Sequence, residues 1–90
     1  MPASRTVTIV NKLGLHARAA AKFVTAASGF GAEIKLRRGT REVNGKSIMG
    51  VMMLAASKGT ELELVADGDD AEAALGALEQ LIAERFGEPE

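Results

Sequence analysis

Ninety residues without a cysteine make one domain, residues 1–90, with a radius of gyration near ~12 Å. Its core is thin and cannot enclose a deep substrate pocket, so any chemistry lies near the surface. Disulfides and thiolate metal sites are excluded, and 47% apolar with 26% charged residues is ordinary for a soluble domain. The net charge of −1 hides an asymmetry: residues 1–46 carry nine basic against two acidic side chains, +7, and residues 47–90 two against ten, −8. Either this gives a dipolar surface that steers acidic partners to one side, or the two sets interleave in space. The longest apolar run, Ile48 to Ala56, contains a glycine and is too short to span a bilayer. The first residues lack a signal-peptide pattern, which makes the expected location cytoplasmic.

Arg5 to Val10 reads as a strand, with Val7 and Ile9 alternating against Thr6 and Thr8. After the loop Asn11-Lys12-Leu13-Gly14-Leu15, a helix is predicted from Ala17. Its buried face holds Ala20, Phe23, Val24 and Ala27, and its wet face Arg18, Lys22 and Thr25. Ser28-Gly29-Phe30-Gly31 is expected to end it with a left-handed glycine cap. A second strand spans Ala32 to Arg38, with Ala32, Ile34 and Leu36 inward. Gly39-Thr40 turns the chain into a short third strand ending at Val43, and Asn44-Gly45 turns it again. A short helix from Ile48 to about Ala56 closes at Lys58-Gly59, and Thr60 to Ala66 forms the fourth strand. Asp69 is the expected N-cap of the last helix, with Glu72 as its capping-box partner. That helix buries Leu75, Leu78, Leu81 and Ile82 and frays near Gly87-Glu88-Pro89. The order β-α-β-β-α-β-α predicts an α+β fold: an open sheet with three helices on one face.

His16 is the one histidine, and it stands where a glycine-containing loop meets a helix. There it faces the unpaired N–H groups of the first turn and the positive end of the helix dipole. That field disfavours the cationic ring and keeps a free lone pair for nucleophilic attack. The backbone N–H groups of Ala17 and Arg18 would then receive the oxygens of a bound phosphoryl group. Arg18 adds a fixed cation with donors suited to phosphate. Spacing alone leaves a second reading open, in which His16 only caps the helix and Arg18 is a solvated charge. A metal site would need further His or Cys ligands that the chain lacks, and no cofactor is called for.

A second element begins at Ser47, placed as an N-cap. Ile48, Met49, Val51, Met52, Met53, Leu54 and Ala55 leave the helix after it without a polar side. In so small a domain both of its faces can hardly be buried, and an exposed Met-rich face adapts to several partners. The alternative is that all of them fill the core. A phosphate on Ser47 would suit the helix start electrostatically and yet repel an acidic partner from the apolar face.

Gly14-Leu15-His16-Ala17-Arg18 and Val43-Asn44-Gly45-Lys46-Ser47-Ile48-Met49-Gly50 resemble the two signatures of the HPr family. Its members are the histidine-containing phosphocarriers of the bacterial phosphoenolpyruvate-dependent phosphotransferase system. The resemblance covers essentially the whole chain, and it implies an open-faced β-sandwich built on a four-stranded antiparallel sheet. It also implies that His16 is phosphorylated by enzyme I, at the ring nitrogen nearest the backbone, and passes the group to an enzyme IIA-type acceptor. Arg18 would stabilise the phosphate, and Ala21, Ile48, Met49 and Met52 would dock the partners. Ser47 matches the serine modified by HPr kinase/phosphorylase in many bacteria.

Two departures stand out. Ala19 replaces a proline common after the His-x-Arg triplet, which a helix start tolerates. Leu13 replaces a small polar residue, so that Asn11-Lys12-Leu13-Gly14 looks more like the nitrogen-related branch, whose members relay phosphate to regulatory acceptors. The resemblance implies a monomeric carrier without turnover of its own, with no nucleic-acid partner and no membrane insertion. A small-molecule-binding regulatory α+β module is the second class considered, with His16 and Arg18 as ligand contacts. An RNA-binding module fits poorly, because the chain has three aromatics, all Phe, and no stacking pair on a strand.

Overall fold

The computed structural model describes residues 2–90. Its elements are β1 (Ala3–Thr8), α1 (Ala17–Ser28), β2 (Glu33–Arg38), β3 (Arg41–Asn44), α2 (Ile48–Met53), β4 (Glu61–Asp67) and α3 (Ala71–Ala83), followed by a tight turn over Arg85–Gly87. The strands form one antiparallel sheet in the order β1-β4-β2-β3. Strand alternation sends Val7, Ile34, Leu36, Leu62, Leu64 and Ala66 to one face, where all are buried. Register aligns Val7 with Leu62, and Leu36 with Leu64. The helices cover that face: Ala20, Phe23 and Ala27 of α1 and Leu75, Leu78 and Ile82 of α3 join the same core. The other face stays open, as expected of an α+β open-faced sandwich, and the radius of gyration is 11.5 Å.

Several local expectations are corrected. α1 does not end in a left-handed glycine. Gly29 is right-handed (φ −75°), because the last turn closes through Gly29 N–H to Ala26 O and Phe30 N–H to Ala27 O. The exposed N–H groups of Gly31 and Ala32 are taken instead by the Asp70 carboxylate, at 2.8 Å each. That also corrects the start of α3. Its N-cap is Asp70, not Asp69, and the Asp70 side chain makes no capping bond because it is spent on the loop after α1. Glu72 is likewise used elsewhere, pairing with Arg5 at 3.0 Å.

α2 stops at Met53 rather than near Ala56. Ala55 takes φ +51°, and Arg38 and Arg41 donate to the carbonyls of Met53, Leu54 and Ala55, a favourable place for cations. The chain after α3 does not fray. Phe86 is buried although it sits at φ +55°, and Lys22 Nζ donates to its carbonyl at 2.6 Å. Leu81 is only partly buried.

The unequal charge of the two halves does not divide the surface cleanly. Elements of the two halves pack together, so some of their side chains meet: Arg5 of β1 with Glu72 and Glu79 of α3, Lys12 with Glu90, and Arg37 of β2 with Glu63 of β4. Three of the nine basic side chains of residues 1–46 are thus paired with acids of residues 47–90, and exposed pairs of this kind each contribute little.

Backbone donors of Gly31, then of Ala32, hold the Asp70 carboxyl below the usual carboxylate range. A depressed carboxyl pKa stabilises the fold above the unfolded value, near 3.8, and that contribution is lost as pH falls through the folded value. Asp70→Asn should therefore lower the melting temperature at pH 7. The gap to wild type should begin to narrow below about pH 4 and close once pH has fallen past the folded value, read by circular dichroism at pH 7 and through the acid range.

Candidate functional site

The site begins with a tight loop. Gly14 has φ +67°, and a Cβ there would lie 2.4 Å from the Ala56 carbonyl oxygen, so only glycine fits both the conformation and the space. The loop is held by Leu15 N–H donating to Ala56 O at 2.9 Å and by the buried Leu15 side chain. Asn11, fully buried, donates from Nδ2 to Gly14 O at 2.8 Å and to Glu88 Oε1 at 3.0 Å. These contacts deliver His16 to the N-cap of α1 in an extended conformation (φ −70°, ψ 176°).

The imidazole is 27% exposed, partly covered yet open to solvent. Its two nitrogens meet opposite partners. Nδ1 accepts from the Arg18 backbone N–H at 3.2 Å, and Nε2 lies 2.5 Å from Glu88 Oε2. A donor facing Nδ1 and a carboxylate facing Nε2 suit the tautomer that carries its proton on Nε2 and its lone pair on Nδ1. The capping role is realised in this geometry, and the same contact turns Nδ1 toward the start of α1. Asn11 foremost, and then the His16 ring, hold the Glu88 carboxyl below the usual carboxylate range against the opposing effect of burial, with Lys22 adding to the same direction.

Ala17 and Arg18 are exposed in the first turn of α1. Among the described residues the Arg18 guanidinium has no hydrogen-bond or ionic partner. It borders an open groove of about 690 Å³ shared with Lys12, Leu13, His16, Glu88 and Pro89. No three His, Cys, Asp or Glu side chains among the described residues are grouped to hold a metal ion.

α2 packs against α1 and starts at Ser47, whose Oγ accepts the Gly50 N–H at 3.1 Å. Val51 of α2 is buried, whereas Ile48, Met49, Met52 and Met53 are exposed, Met49 most of all at 75%. Of the sequence-predicted docking residues, Ile48, Met49 and Met52 are thus on the open surface, and Ala21 is half-buried on α1. Leu13 and Met53 are further exposed apolar side chains outside that predicted set. Glu88 and Asn11 were not candidates at all, and no local spacing could have pointed to them.

An open-faced sandwich that displays one capping histidine beside an arginine without a side-chain partner among the described residues and an apolar helix face defines a class of small α+β domains with their polar site at the surface. The comparisons with known proteins narrow this class. Residues 3–84 match the family model "PTS HPr component phosphorylation site". The chain is 55% identical over 86 residues to the phosphocarrier protein HPr of Cupriavidus necator, covering 96% of this chain and 97% of that one. It is 54% identical over 91 residues to that of Pseudomonas aeruginosa, with full coverage of both. Among solved structures, the HPr-C-His crystal structure from Thermoanaerobacter tengcongensis superposes with a TM-score of 0.94 at 48% identity, covering 98% of this chain and 99% of that one. The chain belongs to the HPr family of phosphotransferase-system phosphocarriers, which carry a phosphoryl group and do not catalyse a turnover of their own.

Gly14→Ala should destabilise the protein by roughly 2 kcal/mol, since it combines a strained positive φ with a clash against backbone. A urea titration checks this. An unchanged midpoint would mean that the loop presenting His16 is free to rearrange.

Proposed function

We propose that His16 accepts a phosphoryl group on Nδ1 from enzyme I and transfers it to an enzyme IIA-type acceptor, the chain acting as a single carrier domain. The observation that carries this reading is the orientation of the ring: the Nδ1 lone pair points toward the Arg18 N–H at the start of α1. In the attack, the Nδ1 lone pair forms the bond to phosphorus, and the bond from phosphorus to the donor breaks with its electron pair staying on the donor. The phosphoryl oxygens then gain the N–H groups of Ala17 and Arg18 and the positive end of the helix. The Arg18 guanidinium, without another partner among the described residues, is available to swing onto them.

In the same reading, Ile48, Met49, Met52 and Ala21 form the apolar surface against which enzyme I and the acceptor dock. Their adaptable methionines suit two successive partners of different shape. Phosphorylation of Ser47 by an HPr kinase/phosphorylase would place nearly two negative charges at the edge of that surface. Ser47 Oγ is only half-buried, so the modification need not unfold α2. The resemblance of the Asn11–Gly14 loop to the nitrogen-related branch favours a regulatory acceptor.

Incubated with enzyme I and phosphoenolpyruvate, the protein should gain one acid-labile, base-stable phosphate, seen as a mass increase that His16→Ala lacks. Equal labelling of His16→Ala would end the assignment. Ser47→Asp retains a capping oxygen, so its melting temperature should stay within a few degrees of wild type while the rate of phosphorylation by enzyme I falls. An unaltered rate would remove the regulatory role of Ser47.

A further inference from the structure

The tail after α3 enters the site along a path that no part of the phosphoryl chemistry above requires. Phe86 anchors it in the core, Lys22 Nζ holds the Phe86 carbonyl, and Glu88 N–H closes on Arg85 O at 2.9 Å. Two residues further on, Glu90 O accepts the Lys12 N–H at 2.9 Å. Between these fixed points the Glu88 side chain turns inward and is only 11% exposed, with one carboxylate oxygen on Asn11 Nδ2 and the other on His16 Nε2. A glutamate at a tail position has no packing reason to be so covered, and burying a carboxylate is costly unless its oxygens are satisfied.

The geometry points to Glu88 as a positioning residue for phosphoryl transfer, one that keeps a proton on His16 Nε2 while Nδ1 gains and loses phosphorus. This rests on the proposed phosphorylation of Nδ1. When a neutral, Nε2-protonated ring attacks, no proton moves. The ring ends with phosphorus on Nδ1 and hydrogen on Nε2, and so carries a positive charge. Glu88, anionic and already in contact, is the counter-charge to that ring. In the onward step Nδ1 recovers its electron pair and leaves as a neutral imidazole. Had Nε2 lost its proton, the same step would expel an imidazolate, a far poorer leaving group.

Glu88 therefore favours the transfer-competent form in both directions, much as a buried carboxylate orients and charges the histidine of a catalytic triad. The other charged groups around this contact are Lys22 on α1, Lys12 in the loop before Gly14, Arg18 at the helix start and Glu90 on the tail. Among the described residues none of these charged side chains bonds to the ring, and Glu88 does. Asn11 spends its remaining N–H on Glu88 Oε1 and so aims the carboxylate.

The test uses the full chain and its Glu88→Gln, Glu88→Ala and Glu88→Asp variants. With each form of the chain supplied to enzyme I as substrate at saturating and limiting concentrations, the kcat of enzyme I should fall about tenfold or more for Glu88→Gln and Glu88→Ala with KM unchanged, the scale of one charge-assisted hydrogen bond. Glu88→Asp should recover part of the loss. In proton–nitrogen correlation spectra of the unphosphorylated protein, the His16 Nε2–H should exchange slowly with water in wild type, and at least tenfold faster in Glu88→Ala. Glu88→Gln keeps an acceptor oxygen and serves where Glu88→Ala proves too unstable to study. Equal kcat values overturn the proposal, as does a rise confined to KM, which would assign Glu88 to docking. A lowered kcat with an unmoved Nε2–H signal overturns it as well. Wild-type protein that takes no label on His16 would instead defeat the underlying reading, and the spectroscopic arm distinguishes the two failures because it needs no phosphate.

Discussion

A single imidazole held from both edges organises this molecule. On one side is a backbone N–H at the start of a helix, and on the other a carboxylate from the far end of the chain. The first partner is local, two residues from the ring, and the second is not. The N–H exists because α1 begins there and leaves its first-turn donors unpaired. The carboxylate is present because Phe86 and Lys22 fix the turn that precedes it. The loop glycine, the buried Asn11 and the packing of α3 against β1 and β4 all serve, directly or one step removed, to keep those two partners on opposite edges of one ring.

The open-faced architecture follows from a small core. With helices on one face of a four-stranded sheet, the inner side chains suffice to bury the apolar residues of both layers, and nothing remains to cover the outside of α2. Four apolar side chains, Ile48, Met49, Met52 and Met53, consequently stay in water, an expense that a monomeric domain would ordinarily avoid. Their place on a helix packed against α1, the helix that begins at the histidine, ties the surface to the chemistry by rigid elements. The proposed relay of phosphoryl groups between proteins would use that combination: a ring near the surface, and an adaptable apolar face beside it.

The alternations of the strands and the apolar stripe of α1 were legible residue by residue, because each depends on the local period of side-chain direction. The histidine at the head of α1 and the serine at the head of α2 were legible for the same reason, since capping is decided within four residues. Where side chains had competing uses, local rules failed. Asp69 and Glu72 formed a plausible capping box, yet Asp70 is the boundary residue and its carboxylate is drawn to Gly31 and Ala32, while Glu72 is drawn to Arg5. The expected glycine cap of α1 failed because the same Asp70 satisfies the loop from outside, which makes a left-handed turn unnecessary. The uneven charge of the two halves does not map onto two separate surfaces, because α3 packs on β1 and β4 pairs with β2, which brings acids of one half beside Arg5 and Arg37 of the other.

By itself, then, the order of residues determined the element sequence, the inward faces and the histidine at a helix start, since all of these follow from neighbours a few positions apart. Only the tertiary structure decided what faces the Nε2 edge of His16, because that is Glu88, 72 positions away. It decided as well that Gly87-Glu88-Pro89, read as a fraying end, is part of the site. A tail of polar residues looks loose from its composition, and what restrains it is one buried phenylalanine and a lysine on another helix, contacts that exist only after the chain has folded.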